Sequence, residues 1–190
     1  MTLDDWAQRR GIPGDVLQAY GCWVGDDSDY DGWLAIPYPN RTGTWGTKWR
    51  NPEDDKPKYI WEGNGSHLYN PTLVPPGAYH VVFTEGEFDA MILCHLGFNA
   101  IGIPGVGQGA SFKKAWTHLF SKSRIYILFD NDEAGQTGAV KLASNFAGVG
   151  LEAQVVNLPD RWGDVNEMWR ESPTALDAHL DYIIPERSTP

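Results

Sequence analysis

Val81-Val-Phe-Thr-Glu-Gly-Glu-Phe-Asp89 and Ile125-Tyr-Ile-Leu-Phe-Asp-Asn-Asp-Glu-Ala-Gly135 share one pattern, an apolar run that stops abruptly in carboxylates and a glycine. Four or five apolar residues bounded by charge predict a strand buried on both faces, as in a parallel sheet. The acids then sit at the carboxyl end of the strand, where open α/β sheets bind ligands. Two such ends side by side are expected to gather Glu85, Glu87, Asp89, Asp130 and Asp132 into one pocket. Carboxylates held that close repel unless a cation lies among them. Oxygen-only donors favour Mg²⁺, Mn²⁺ or Ca²⁺ over zinc.

Around these two stretches, strands alternate with helices. Strands are expected at Val81–Thr84, Ala100–Ile103, Arg124–Phe129 and Ala153–Leu158. Helices are expected at Glu87–Leu96, Ser111–Phe120, Glu133–Phe146 and from near Val165. That alternation implies right-handed crossovers and a mostly parallel sheet flanked by helices, an α/β class. Ahead of it, Pro71 to Gly77 holds three prolines and a glycine, so the boundary is expected there, giving domains 1–77 and 78–190.

The first half reads as a small mixed α+β subdomain. Leu3–Arg10 and Pro13–Tyr20 predict two short helices around Gly11, with Asp4 and Asp5 in a first turn and Pro13 at a helix start. Trp33–Pro37 and Thr44–Arg50 predict a hairpin turned at Pro39–Gly43, and Lys58–Trp61 a third strand. Gly25-Asp-Asp-Ser-Asp-Tyr-Asp31 is acidic, but the glycine and terminal glutamate of an EF-hand loop are missing, which argues against calcium there.

Composition narrows the class. With 190 residues, 42% hydrophobic residues and nine tryptophans, the chain is long and apolar enough to bury a core. No apolar run approaches the ~20 residues of a bilayer span, so no membrane partner is expected. The first residues carry no basic n-region of a signal peptide. Two cysteines, Cys22 and Cys94, make neither a zinc site nor a disulfide framework, and a reduced, cytoplasmic setting is expected. A net charge of −10 weighs against a nucleic-acid partner at face value, less so if cations neutralise the acid clusters.

Each cluster has a plainer alternative. Glu85-Gly86-Glu87-Phe88-Asp89 puts Glu85 at a strand end, with Asp89 one helical turn on and expected over it. Acids that favour a helix N-terminus explain the same residues. Asp130-Asn131-Asp132 directs two carboxylates to one rim; a capped helix start explains one of them better than both. Gly135 and the helix behind it offer backbone N–H groups to a phosphate. Asp164 and Asn166 repeat the spacing with an amide in second place, the weaker half of a metal site, against a simple N-cap by Asp164. Gly105, Gly107 and Gly109 precede a helix and let backbone N–H groups approach a phosphate, but lack the Gly-Lys-Ser/Thr ending of a Walker loop. Upstream, Arg41, Lys48, Arg50, Lys56 and Lys58 interleave with Trp45, Trp49, Tyr59 and Trp61. Phosphate-holding cations beside stacking rings describe a single-strand binding surface. Glu53, Asp54 and Asp55 dilute the patch, however, and on these residues alone an ordinary hairpin with tryptophan inside and lysine outside describes them better.

In this order, Thr84-Glu-Gly-Glu-Phe-Asp89, the glycine loop, Asp130-Asn-Asp-Glu-Ala-Gly135 and Asp164-Val-Asn-Glu167 resemble the Toprim domain of bacterial-type primases, topoisomerases and some nucleases. The resemblance covers Ala78 to Leu180. Ile36-Pro-Tyr-Pro-Asn-Arg41, Trp49-Arg-Asn-Pro52, Lys56-Pro-Lys-Tyr59 and Leu68-Tyr69 resemble the basic subdomain that precedes Toprim in primases. The resemblance implies a Toprim fold and synthesis of short RNA primers from ribonucleoside triphosphates on a single-stranded DNA template. It assigns Glu85, Asp130 and Asp132 to catalysis, and the same three with Asp89, Asp164 and Asn166 to Mg²⁺ or Mn²⁺. It assigns Lys48, Arg50, Lys58 and the loop glycines Gly105, Gly107 and Gly109 to nucleotide and template. A lysine the family carries before its Leu-Tyr pair is absent, with Asn64 and His67 in that neighbourhood. Primases of this type also use a zinc-binding module and a replicative helicase; neither pattern is present, which leaves a minimal phage-like core, a fragment of a longer protein, or half of a split system whose helicase or zinc module is supplied in trans. A Toprim nuclease would cut with the same acids, and a non-catalytic adaptor would only bind nucleic acid.

Overall fold

The computed structural model describes residues 1–27, 29–53, 56–63, 68–70, 72–103 and 117–184. They form two compact units, Met1–His67 and Leu68–Pro190. The division falls upstream of the proline-rich stretch, so the stretch from Leu68 to Gly77 belongs with the second unit rather than the first. The cause is local. Tyr69 exchanges both backbone bonds with Gly102 (2.9 and 2.8 Å), Val74 lies in the second unit's core, and the Gly77 N–H donates to Leu119 (3.0 Å). Prolines mark where the chain cannot join a ladder, and here it packs without joining one.

In the first unit, helix α1 (Leu3–Arg10) opens with a reciprocal cap: Thr2 Oγ1 accepts the Asp5 N–H and the Asp5 carboxylate accepts the Thr2 N–H. Gly11 closes it at φ 63°, left-handed backbone that costs glycine little. Pro13 is the N-cap residue of α2 (Gly14–Ala19). Strands β1 (Trp23–Val24), β2 (Leu34–Asn40), β3 (Gly43–Arg50) and β4 (Tyr59–Gly63) form an antiparallel sheet in that order. The short β1 was not foreseen. It pairs only with Leu34 and Ala35, so Pro37 and Pro39 fall beyond it, where β2 needs no donor on that side. The register shifts between Tyr38 and Pro39, and the turn tightens onto Asn40–Gly43. In the acidic loop, Asp27 Oδ1 accepts the N–H groups of Asp29 and Tyr30, an ordinary aspartate turn.

The second unit is the predicted α/β sheet. Its elements are β5 (His80–Thr84), α3 (Glu87–His95), β6 (Ala100–Gly102), α4 (Thr117–Phe120), β7 (Arg124–Ile127), α5 (Glu133–Ala147), β8 (Ala153–Val155), α6 (Val165–Glu171) and α7 (Pro173–Ile183). The strands are parallel, in the order β6-β5-β7-β8. On one face Val81, Phe83, Ile125 and Ile127 pack with Phe120, Ala139, Leu142 and Phe146. Phe83 centres this core, with ring centroids 5.3 Å from Phe120 and 5.2 Å from Phe146. Helix α3 lies against β5, β6 and α6. Because β6 lies on one side of β5 and β7 on the other, the strand order reverses between β5 and β7. Such a reversal opens a crevice beyond the strands' carboxyl ends.

Candidate metal centre

Both sequence-selected strand ends meet at that crevice. Glu85 follows β5 directly, and Asp130 and Asp132 follow β7. Burial and the neighbouring Asp132 charge raise the Glu85 carboxyl above its usual range. Its Oε2 is buried and has no hydrogen-bond partner among the described residues. Asp130 is pushed to about 7, first by burial and then by Glu85, Asp164 and Asp132. Asp130 therefore lies within reach of the charges of Glu85, Asp132 and Asp164, and Glu85 within reach of Asp132.

Asp132 also serves the fold. It is the N-cap of α5, and its Oδ1 accepts the Gly135 N–H at 2.6 Å. The capped start thus holds for this residue, and the Gly135 N–H expected for a phosphate is already used. Gly135 is needed for space. A Cβ there would press on the Asp130 carbonyl oxygen and come within 3.0 and 3.1 Å of its carbon and nitrogen. The start of α5 is seated directly on the Asp130 backbone, and Gln136 Nε2 adds a 3.1 Å bond to the Asp130 carbonyl.

Helical spacing does not relate Asp89 to Glu85 in the way the sequence suggested. Gly86 is extended (φ −116°, ψ 163°) and α3 begins only at Glu87, so Glu85 stands outside the helix. Asp89 instead faces α6. It is 8% exposed and its Oδ1 accepts the Asn166 N–H at 3.1 Å. Burial foremost, then Asp130 and Asp164, raise it well above the usual carboxylate range; the Asn166 bond pulls the other way and Glu87 adds to the rise. Asn166 meets Asp89 through its backbone, and Asp164 is the N-cap of α6, accepting the Glu167 N–H at 2.6 Å. Asp89 and Asn166 thus fasten α3 to α6, a structural use the sequence spacing did not distinguish from ligation.

The residues fit a divalent ion in two respects. A cation offsets the burial and, after it, the neighbouring negative charge that raise Glu85 and Asp130, and it gives the buried Glu85 oxygen a partner. Among the described residues, no three His, Cys, Asp or Glu side chains form a ready metal cage.

Sequence reasoning missed Asn131. Its side-chain amide donates to the carbonyls of Trp162 (2.8 Å), Leu158 (3.1 Å) and Pro159 (3.4 Å), and its backbone N–H to Gly163 (2.7 Å). A neutral residue between two acids gave no signal of this.

In the first unit, Lys48 Nζ lies 4.1 Å and Lys58 Nζ 5.9 Å from the Tyr59 ring centroid, with the Arg50 guanidinium at 4.9 Å. Three cations therefore converge on one tyrosine across the β3–β4 pair. Lys58 is exposed, but Arg50 is 4% exposed and donates to the Tyr59 hydroxyl, so it is built into the structure rather than held out to solvent. Gly105, Gly107, Gly109, Asn64 and His67 lie outside the described residues. Among the described residues no helix is long and apolar enough to cross a membrane.

Comparison with known proteins agrees with this geometry. Residues 82–169 match the Toprim-like family. The gene 57 protein of Mycobacterium phage D29 is 31% identical over 147 residues, covering 73% of this chain and 91% of that protein. A DNA primase of Chlamydia trachomatis is 29% identical over 104 residues, 53% of this chain and 17% of the primase. Among solved structures, the primase fragment of the bacteriophage T7 primase-helicase superposes with a TM-score of 0.73 at 20% identity, over 90% of this chain and 71% of that one. The Aquifex aeolicus primase, with its zinc-binding and RNA polymerase domains, gives 0.75 at 20% identity, over 97% and 55%. The chain thus spans about half of the Aquifex structure and a small part of the chlamydial primase. On this evidence the chain belongs to the Toprim-like family, as a Toprim core of the primase type.

Proposed function

We propose that the chain synthesises short RNA primers on single-stranded DNA by metal-dependent nucleotidyl transfer. The observation that carries this is Glu85 close to the Asp130–Asp132 pair across the β5–β7 reversal, with a buried carboxylate oxygen left without a partner among the described residues. Phosphoryl transfer of this kind needs alignment and charge neutralisation more than covalent help from the protein. Bound Mg²⁺ or Mn²⁺ supplies the neutralising charge on the phosphates of the incoming nucleotide. Asp130 and Asp132 hold it at the crevice, and Glu85 orients the attacking 3′-hydroxyl or accepts its proton. Asp164 completes the negative rim. Lys58 and Lys48 steady template or triphosphate from the basic subdomain, and Arg50 fixes the Tyr59 ring between them.

Ribonucleoside triphosphates and single-stranded DNA are then the substrates, in the cytoplasm of a bacterium or an infected host. A zinc-binding module or a helicase works alongside it, as the domains named in the T7 and Aquifex neighbours suggest. The test is direct. The chain is incubated with single-stranded DNA, labelled ribonucleotides and Mg²⁺ or Mn²⁺. Oligoribonucleotides support primer synthesis; shortened DNA indicates a nuclease, and a gel shift with neither product an adaptor.

A further inference from the structure

The acid centre is assembled from three segments, and one side chain ties two of them together. Glu85 is carried by its own strand end, while Asp130 and Asp132 come from the loop after β7 and Asp164 from the loop between β8 and α6. Asn131 lies between the first two acids in sequence. Through its carboxamide and its backbone N–H it reaches four carbonyls spanning Leu158 to Gly163, the segment that runs straight into Asp164. A carboxamide has two N–H donors, so the two shorter side-chain bonds are the strong ones and the 3.4 Å contact shares a hydrogen.

The far side of that segment is anchored to α6. Trp162 Nε1 donates to Glu171 at 3.0 Å, the Arg161 guanidinium lies over the Trp162 ring at 4.4 Å and pairs with Glu171, and the Gly163 N–H donates to Glu167. The segment is therefore held against α6 at one side and against the β7 end by Asn131. Residue type matters. An aspartate at this place would aim a carboxylate at carbonyl oxygens, and a serine would reach fewer of them with its single hydroxyl.

We propose that Asn131 is a positioning residue for the acid centre, holding the Asp164 loop in register with Asp130 and Asp132 so that one cation meets carboxylates from both loops. The inference rests on the metal-dependent function proposed above. Outer partners that orient ligand-bearing groups affect metal affinity by about 10- to 100-fold. A residue that only satisfied loop carbonyls would change thermal stability and leave metal affinity alone.

The test measures Mn²⁺ binding, from the electron paramagnetic resonance signal of the free ion, alongside thermal unfolding. The proteins are wild type, Asn131→Ala, Asn131→Ser and the core control Leu142→Ala. Leu142→Ala is expected to lower the melting temperature and keep wild-type Mn²⁺ affinity. Asn131→Ala is expected to bind Mn²⁺ about 10- to 100-fold more weakly, with Asn131→Ser, which keeps one donor, in between. If Asn131→Ala does not fold, Asn131→Ser decides. Wild-type affinity in a folded Asn131 variant overturns the positioning role and leaves the metal site standing. Failure of the wild type itself to bind Mn²⁺ overturns both.

Discussion

Gly135→Ala places a single methyl group where the structure has no room for it. A Cβ at 135 would lie 3.0 Å from the Asp130 carbonyl carbon and press harder on its oxygen, whereas ordinary contact begins at 3.4 Å. Restoring contact moves the α5 start at least 0.4 Å, the difference of those two distances, and the obstacle is backbone that cannot rotate aside. Overpacking of this kind costs about 1–3 kcal/mol. For a chain of this size that lowers the melting temperature by roughly 2–12 °C. The shift acts on the residue that carries Asp130, and misplacements approaching 1 Å cost up to about 100-fold in rate. The same substitution at the other end of the helix is the control. Gly148 has φ −62° and its nearest obstacles at 3.5 Å, so Gly148→Ala is expected to stabilise by about 0.4–1 kcal/mol. Differential scanning calorimetry and primer synthesis are measured on both. A Gly135→Ala protein as stable and active as Gly148→Ala would refute the tight seating of α5 on the Asp130 backbone.

Other expectations concern charge. Asp132→Asn keeps a residue able to cap α5, and Asp130→Asn relieves repulsion, so both are expected to abolish primer synthesis with circular dichroism unchanged; a product yield equal to wild type would exclude these residues from catalysis. In metal-free protein, the raised Asp130 carboxyl favours the folded state below its unfolded value near 3.8, and that contribution is lost as pH rises through about 7. Melting temperatures in chelator are thus expected to fall across that window, and Asp130→Asn to flatten the profile. Lys58→Ala is expected to weaken single-stranded DNA binding and to reduce the slope of log affinity against log salt by about 0.7. Arg50→Ala instead loses a buried bond to Tyr59, at a cost of about 1.5–3 kcal/mol, read as a lowered melting temperature.

What the sequence showed well was whatever is encoded in short range. Apolar runs ending in acids located β5 and β7, and Asp4, Asp5 and Gly11 marked the two ends of α1, although its Thr2 cap was not foreseen. Strand order followed less directly, since only pairing across crossovers puts β7 beside β5 and creates the crevice. What escaped was long range. Asn131 gains its meaning from carbonyls 27 to 31 residues away, and Asp89 from a backbone N–H 77 residues on. Gly135 looked like a phosphate cradle because a glycine at a helix start fits that role as well as it fits close packing. Asp132 and Asp164 show that one carboxylate can cap a helix and still face its neighbours' charge, so cap and ligand were never exclusive alternatives.

The central claim is that Glu85 and the Asp130–Asp132 pair share divalent cations at the β5–β7 reversal. Anomalous diffraction from crystals grown with Mn²⁺ tests it most directly. A peak within about 2.0–2.6 Å of carboxylate oxygens of Asp130 or Asp132, with the Glu85 carboxylate turned toward the same ion or its water shell, is the predicted result. A peak elsewhere on the chain, or none at these acids at saturating Mn²⁺, would contradict it.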